Sequence, residues 1–297
     1  MNAASRTAAC VALLLVAAAC SKSSRPWIDR LEVDAFEGGE VVSLSKAQLE
    51  HQLVEKLEAS KFVVARPGQK IPEEVKPWRL QLAAGLSEPD LEKQTSSVVL
   101  ALELQHTGKS DSFAIDSRVH VKPAQGNDVE AMQGAIRDAL DDALGRAVRE
   151  ASALITLKDA TDGALVAKLK DPDSAVADAA IRLLVRRQHK AALPALLERL
   201  KSDDLDVLRG VVGLLVELGA PEAVNPLVEA ANQRGPGFER EVVFAVGAIG
   251  GDDAEAYLDL VASGHDDPLV RASAAQALLE LREKKNKKAA PHPGEPR

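Results

Sequence analysis

Aromatic residues are scarce in this chain of 297 residues: two tryptophans, one tyrosine and five phenylalanines make up 3% of it. A core without large rings has to be filled by aliphatic and small side chains. Alanine, leucine and valine dominate here, a composition suited to closely packed helices. Positive charge is in deficit, with 45 acidic against 37 basic residues and a formal net charge of −8. That balance excludes nucleic acid as a partner bound without regard to sequence, which needs a basic footprint. The motifs of common catalysts are missing: no GxSxG elbow, no Walker loop, no dinucleotide fingerprint and no HExxH pair occurs. The six histidines are scattered. Nothing in the sequence requires a cofactor, and no calcium loop of EF-hand type is present.

Cysteine is nearly absent too, and the two that exist lie at positions 10 and 20. Met1 to Thr7 is polar with one positive charge at Arg6, and Ala8 to Ala19 is apolar and ends in small residues. This is the layout of an export signal; the run is shorter than the roughly 20 residues a membrane span needs. Loss of residues 1–19 would remove Cys10 and leave Cys20 as the one sulfur of the mature chain's cysteines. A single cysteine forms no internal disulfide, so an exported chain of this kind is held by its core.

Two readings of the junction stay open. Ala17-Ala18-Ala19 suits ordinary signal peptidase, giving a freely secreted protein. The same residues before Cys20 resemble a bacterial lipobox, with Ala17 where leucine is usual. That resemblance implies acylation of Cys20, and several acyl chains hold a membrane far more firmly than one. Residues 20–26, with Ser21-Lys22-Ser23-Ser24-Arg25-Pro26, then form a polar tether. By the same resemblance, serine after the cysteine directs the protein to the outer membrane, facing the periplasm of the bacterial cell envelope.

The expected fold class is α+β: a small N-terminal sheet-and-helix domain over 27–127, then an α-solenoid. Ser45 and Gln48 are spaced as a capping box, and Leu49, Leu53 and Leu57 mark one stripe of the helix that follows. Residues 28–36 and 62–65 read as short strands. Trp78, Leu80 and Leu82, then Val98 to Leu104, then Phe113 to Val121 alternate as strands with one buried face. The segment 106–111 is a hairpin turn between the last two. A long helix over 128–158 carries a stripe from Val129 through Ile136, Leu144 and Ala151 to Ile155; its first half should cover the sheet and its second half lead onward.

Residues 159–283 repeat. Leu165, Leu196, Leu227 and Leu258 stand 31 residues apart, and Val176, Val207, Phe238 and Val270 follow at 31, 31 and 32. Polar turns at 171–173, 202–204, 235–237 and 266–268 divide each unit, and Gly219 and Gly250 would end second helices. Four helix-turn-helix units result, none able to bury its apolar side alone. The segment 268–279, PLVRASAAQALL, resembles a HEAT-type repeat, particularly the short form named from phycobilin lyases; 193–197 and 224–228 resemble the start of its first helix. The resemblance covers Ala164 to Leu281 and implies a helical solenoid; it specifies architecture and says almost nothing of function. A HEAT-fold metal hydroxylase would carry His-Glu pairs, and none occurs here. The order of elements in the N-terminal domain resembles small domains of envelope-assembly lipoproteins.

Arg182, Arg186, Arg209, Arg240 and Arg271 fall on second helices, which usually line the concave face of a solenoid. As a row they would bind acidic or phosphorylated groups of a partner; otherwise Arg209 and Arg271 pair with turn aspartates and the rest are solvated. Asp171, Asp173, Asp203, Asp204, Asp266 and Asp267 are read as helix caps, so no metal site is assigned. The basic segment 284–297, Lys284 onward, is read as a disordered tail. The function expected is a non-catalytic scaffold for an unknown protein partner, tethered to the membrane through Cys20. The alternatives are an envelope transport or assembly factor working through its N-terminal domain, and a lyase-like enzyme holding a small ligand.

Overall fold

The computed structural model describes residues 25–36, 44–87, 96–109, 111–121 and 129–289. The expected leader, Cys20 and most of the expected tether lie outside these residues.

Five strands form one sheet: β1 (Trp27–Val33), β2 (Val63–Val64), β3 (Trp78–Leu86), β4 (Ser97–His106) and β5 (Ser112–His120), in the order β2-β1-β3-β4-β5. β1 runs parallel to both its neighbours, and β3, β4 and β5 are antiparallel. Alternation decides the faces. Leu80 and Leu82, then Leu100, Leu102 and Leu104, then Phe113 and Ile115 point inward, while the residues between them are largely exposed. β1 ends at Val33, short of the expected Phe36, although Phe36 is buried.

Two helices cover the inner face. In α1 (Lys46–Ala59) the capping box forms: Ser45 N donates to Gln48 Oε1 at 2.9 Å and Gln48 N to Ser45 Oγ at 3.3 Å. Leu49, Leu53 and Leu57 are fully buried. Helix α2 (Val129–Leu157) packs on α1, β4 and β5 and also against the first repeat. Its stripe is buried from Ile136 to Leu154, but Val129 is 63% exposed because it precedes the contact with the sheet.

Four helix pairs follow: α3 (Asp162–Lys168) with α4 (Ser174–Arg186), α5 (Ala192–Arg199) with α6 (Leu205–Leu218), α7 (Val224–Asn232, entered by a 3₁₀ turn) with α8 (Pro236–Ile249), and α9 (Asp252–Gly264) with α10 (Pro268–Ala289). The 31-residue series of Leu165, Leu196, Leu227 and Leu258 is fully buried. Asp173, Asp204 and Asp267 cap α4, α6 and α10, each accepting from backbone N–H groups of the first turn. Gly219 ends α6 with φ +59°, a conformation that favours glycine. The second helices stack side by side as α2-α4-α6-α8-α10, so α2 belongs to the sheet domain and to the repeat layer at once.

In the second series Val207 is 43% exposed, while its neighbour Leu208 is fully buried. One expectation is corrected. The basic segment is not disordered from residue 284. Helix α10 continues to Ala289, where Lys285 reaches Asp252 and Glu255 and Arg282 reaches Glu255 and Asp259 across to α9.

Candidate functional site

The repeat period places Arg182, Gly213, Phe244 and Gln276 at equivalent points of successive second helices, and Arg186, Glu217, Ala248 and Glu280 at the next turn. In the first repeat this line of positions meets the sheet domain. Arg182 Nε donates to Glu150 Oε1 of α2 at 2.5 Å, and Arg186 Nη1 donates to the carbonyl of Ser112 at 2.8 Å with its guanidinium 4.8 Å from the Phe113 ring centroid. Burial pushes the Glu150 carboxyl above the usual carboxylate range, opposed by the charge of Arg182.

The other arginines divide in the same way. Arg209 makes a forked pair with Glu241 of the next repeat, Nε and Nη2 each at 2.9 Å from a carboxylate oxygen, and Nη1 lies 3.2 Å from Asp206. Arg271 donates to the carbonyls of His265 and Asp266 in the turn before its own helix. Arg240 is exposed and makes no ion pair among the described residues. Four of the five thus serve the structure, and Arg240 alone presents a free guanidinium.

Between β5, α2, α4 and α6 lies a cleft of about 1080 Å³. Asp116, Ser117 and Arg118 form its sheet wall, and Gly210 and Gly213 lie on the opposite helix. At one end Asp206 joins the two halves: its carboxylate pairs with Arg118, 3.3 Å from Nε, and lies 3.3 Å from His120 Nε2, while Ser97 Oγ meets His120 Nδ1 at 2.9 Å. His120, Asp204 and Asp206 are close enough to hold a metal ion. Asp204 also caps α6 and Asp206 also pairs with Arg118 and Arg209, so the cluster forms an ion-pair hub. Sequence reasoning missed this hub. His120 and Asp206 sit 86 positions apart, and no spacing rule links a strand edge to a helix turn.

Residues 161–238 match the family described as HEAT repeats. No curated protein matches the chain. Among solved structures, an uncharacterized protein is 14% identical with a TM-score of 0.30, covering 42% of this chain and 90% of its own. Protein XCC0632 from Xanthomonas campestris, of the DUF330 family, is 14% identical with a TM-score of 0.28, covering 45% of this chain and 82% of its own. No helix among the described residues is long and apolar enough to cross a membrane.

Proposed function

We propose that this protein is an exported lipoprotein, acylated at Cys20, which works without catalysis as a scaffold for a protein partner at the cell envelope. The observation that carries the scaffold reading is the repeat array itself. HEAT repeats are generally protein-binding, and here the second-helix layer leaves Arg240, Phe244 and Leu279 exposed, Phe244 at 43% and Leu279 at 64%. Large apolar groups left in solvent beside a free guanidinium are the usual material of a binding surface. The leader layout and the lone mature cysteine support the tether, which would confine encounters to the membrane surface.

Photo-crosslinkers placed at Arg240, Phe244 and Glu217, compared with Val166 on a first helix, test the scaffold in intact cells. One discrete adduct formed from the second-helix positions and not from Val166 is the expected result. Equal, diffuse labelling from all four positions would remove the scaffold reading.

A further inference from the structure

Among the described residues the outer edge of β5 has no strand beside it, and the direction of its backbone groups follows from two bonds. Val121 N donates to Ser96 O and His106 N to Asp111 O, both at 2.9 Å, which sets the alternation along the β4–β5 ladder. Phe113, Ile115, Ser117 and Val119 therefore bond to β4. Ala114, Asp116 and Arg118 turn their N–H and C=O groups away from it, and none of these groups has a hydrogen-bond partner among the described residues. An open edge is normally blunted or covered. Among the described residues this one is held only at its ends, by Arg186 on the Ser112 carbonyl and by the side chains of Arg118 and His120 on Asp206. The stretch between spans about 20 Å at roughly 3.3 Å per residue, room for a segment of about six residues.

The facing wall is cleared of side chains. Gly210 and Gly213 lie one turn apart on α6, and a Cβ built on either meets nothing within 4 Å. Glycine inside a helix costs about 1 kcal/mol relative to alanine, and no close contact requires it at these two positions. The glycines do, however, widen the space opposite the strand edge. Within the cleft the pairs Arg182–Glu150, Arg199–Asp178 and Arg146–Asp142 are satisfied, whereas Asp116, Glu217 and Arg149 have no ion-pair partner among the described residues. Two carboxylates against one guanidinium favour a cationic guest.

We propose that the β5 edge takes an extended segment of a partner protein, carrying lysine or arginine, as an added strand seated between the sheet and α6. Backbone pairing to Ala114, Asp116 and Arg118 supplies affinity, and the charge at Asp116 and Glu217 supplies preference. This rests on the scaffold reading and names where on the scaffold the partner enters.

The test pans a display library of random 12-residue peptides against the acylated full chain and synthesises the peptides recovered. Binding is expected to slow amide exchange at least tenfold at Ala114, Asp116 and Arg118, with the already bonded alternate amides unchanged. Gly213→Trp should weaken binding at least tenfold without lowering the melting temperature, and Ala114→Pro, which removes an outward N–H without losing a ladder bond, should do the same. Peptides that bind while those three amides exchange freely would overturn the strand-addition site and leave the scaffold reading standing. A library yielding no binder, with diffuse crosslinking from the second helices, would overturn both.

Discussion

At the scale of single residues, the Glu150–Arg182 pair links α2 to α4. Glu150 is mostly buried, so Arg182→Ala leaves its carboxylate without its cation. A loss of about 2–3 kcal/mol in denaturant unfolding is expected, toward the low end for broken buried pairs because Arg182 keeps some exposure. The pH dependence has a defined sign. The folded Glu150 carboxyl holds its proton more tightly than the unfolded one, so the folded state binds more protons between the two pKa values. Stability at this residue therefore falls as pH rises from the ordinary carboxylate range through the raised value. Glu150→Gln should remove that slope, which paired unfolding curves from pH 4 to 7 would reveal. Asp171, held low by Lys168 and the Asp173 N–H, has the opposite sign: its contribution is present at neutral pH and lost on acidification.

At the scale of elements, two helical glycines make opposite predictions. Gly247 on α8 faces α10 so closely that an added Cβ would stand 3.0 Å from the Ala277 Cβ. Gly247→Val should cost about 1–3 kcal/mol through overpacking. Gly213→Ala, in open space, should gain roughly 0.5–1 kcal/mol from helix propensity alone. Thermal melts of both variants separate the two cases. Much of this level was legible in the sequence. The 31-residue period marks Leu165, Leu196, Leu227 and Leu258 because a stacked array must bury the same point of every unit. The capping box, the alternating strands and the long helix are equally local patterns. Val207, exposed beside a buried Leu208, shows that a period marks equivalent points of successive units but not which of two neighbours is buried. The end of α10 was misjudged because lysine-rich composition says nothing of the acids on α9 that meet it.

At the scale of the whole molecule, the sheet and the solenoid share one helix. α2 buries its stripe against the sheet and its flank against α4, and Arg186, Arg118 and His120 tie β5 to the repeats. A chain ending at Lys158 would expose the α2 surface that meets α4, and it should aggregate or melt well below the intact protein in scanning calorimetry. The arrangement of the cleft was not legible beforehand, since its walls come from β5, α2, α4 and α6 and no sequence pattern spans them. Of the five arginines singled out, the structure gathers Arg182 and Arg209 around this cleft, seats Arg186 and Arg271 on carbonyl groups, and leaves Arg240 free on α8. Under the proposed function the tether would set where this body works: a scaffold fixed by Cys20 would meet partners only within reach of residues 20–26 and the bilayer beneath. Intact mass spectrometry of the protein from native membranes, beside a Cys20→Ala form, tests that claim most directly. The account predicts a chain beginning at Cys20 and carrying acyl groups, with the variant released from the membrane. An unmodified, soluble chain would contradict it.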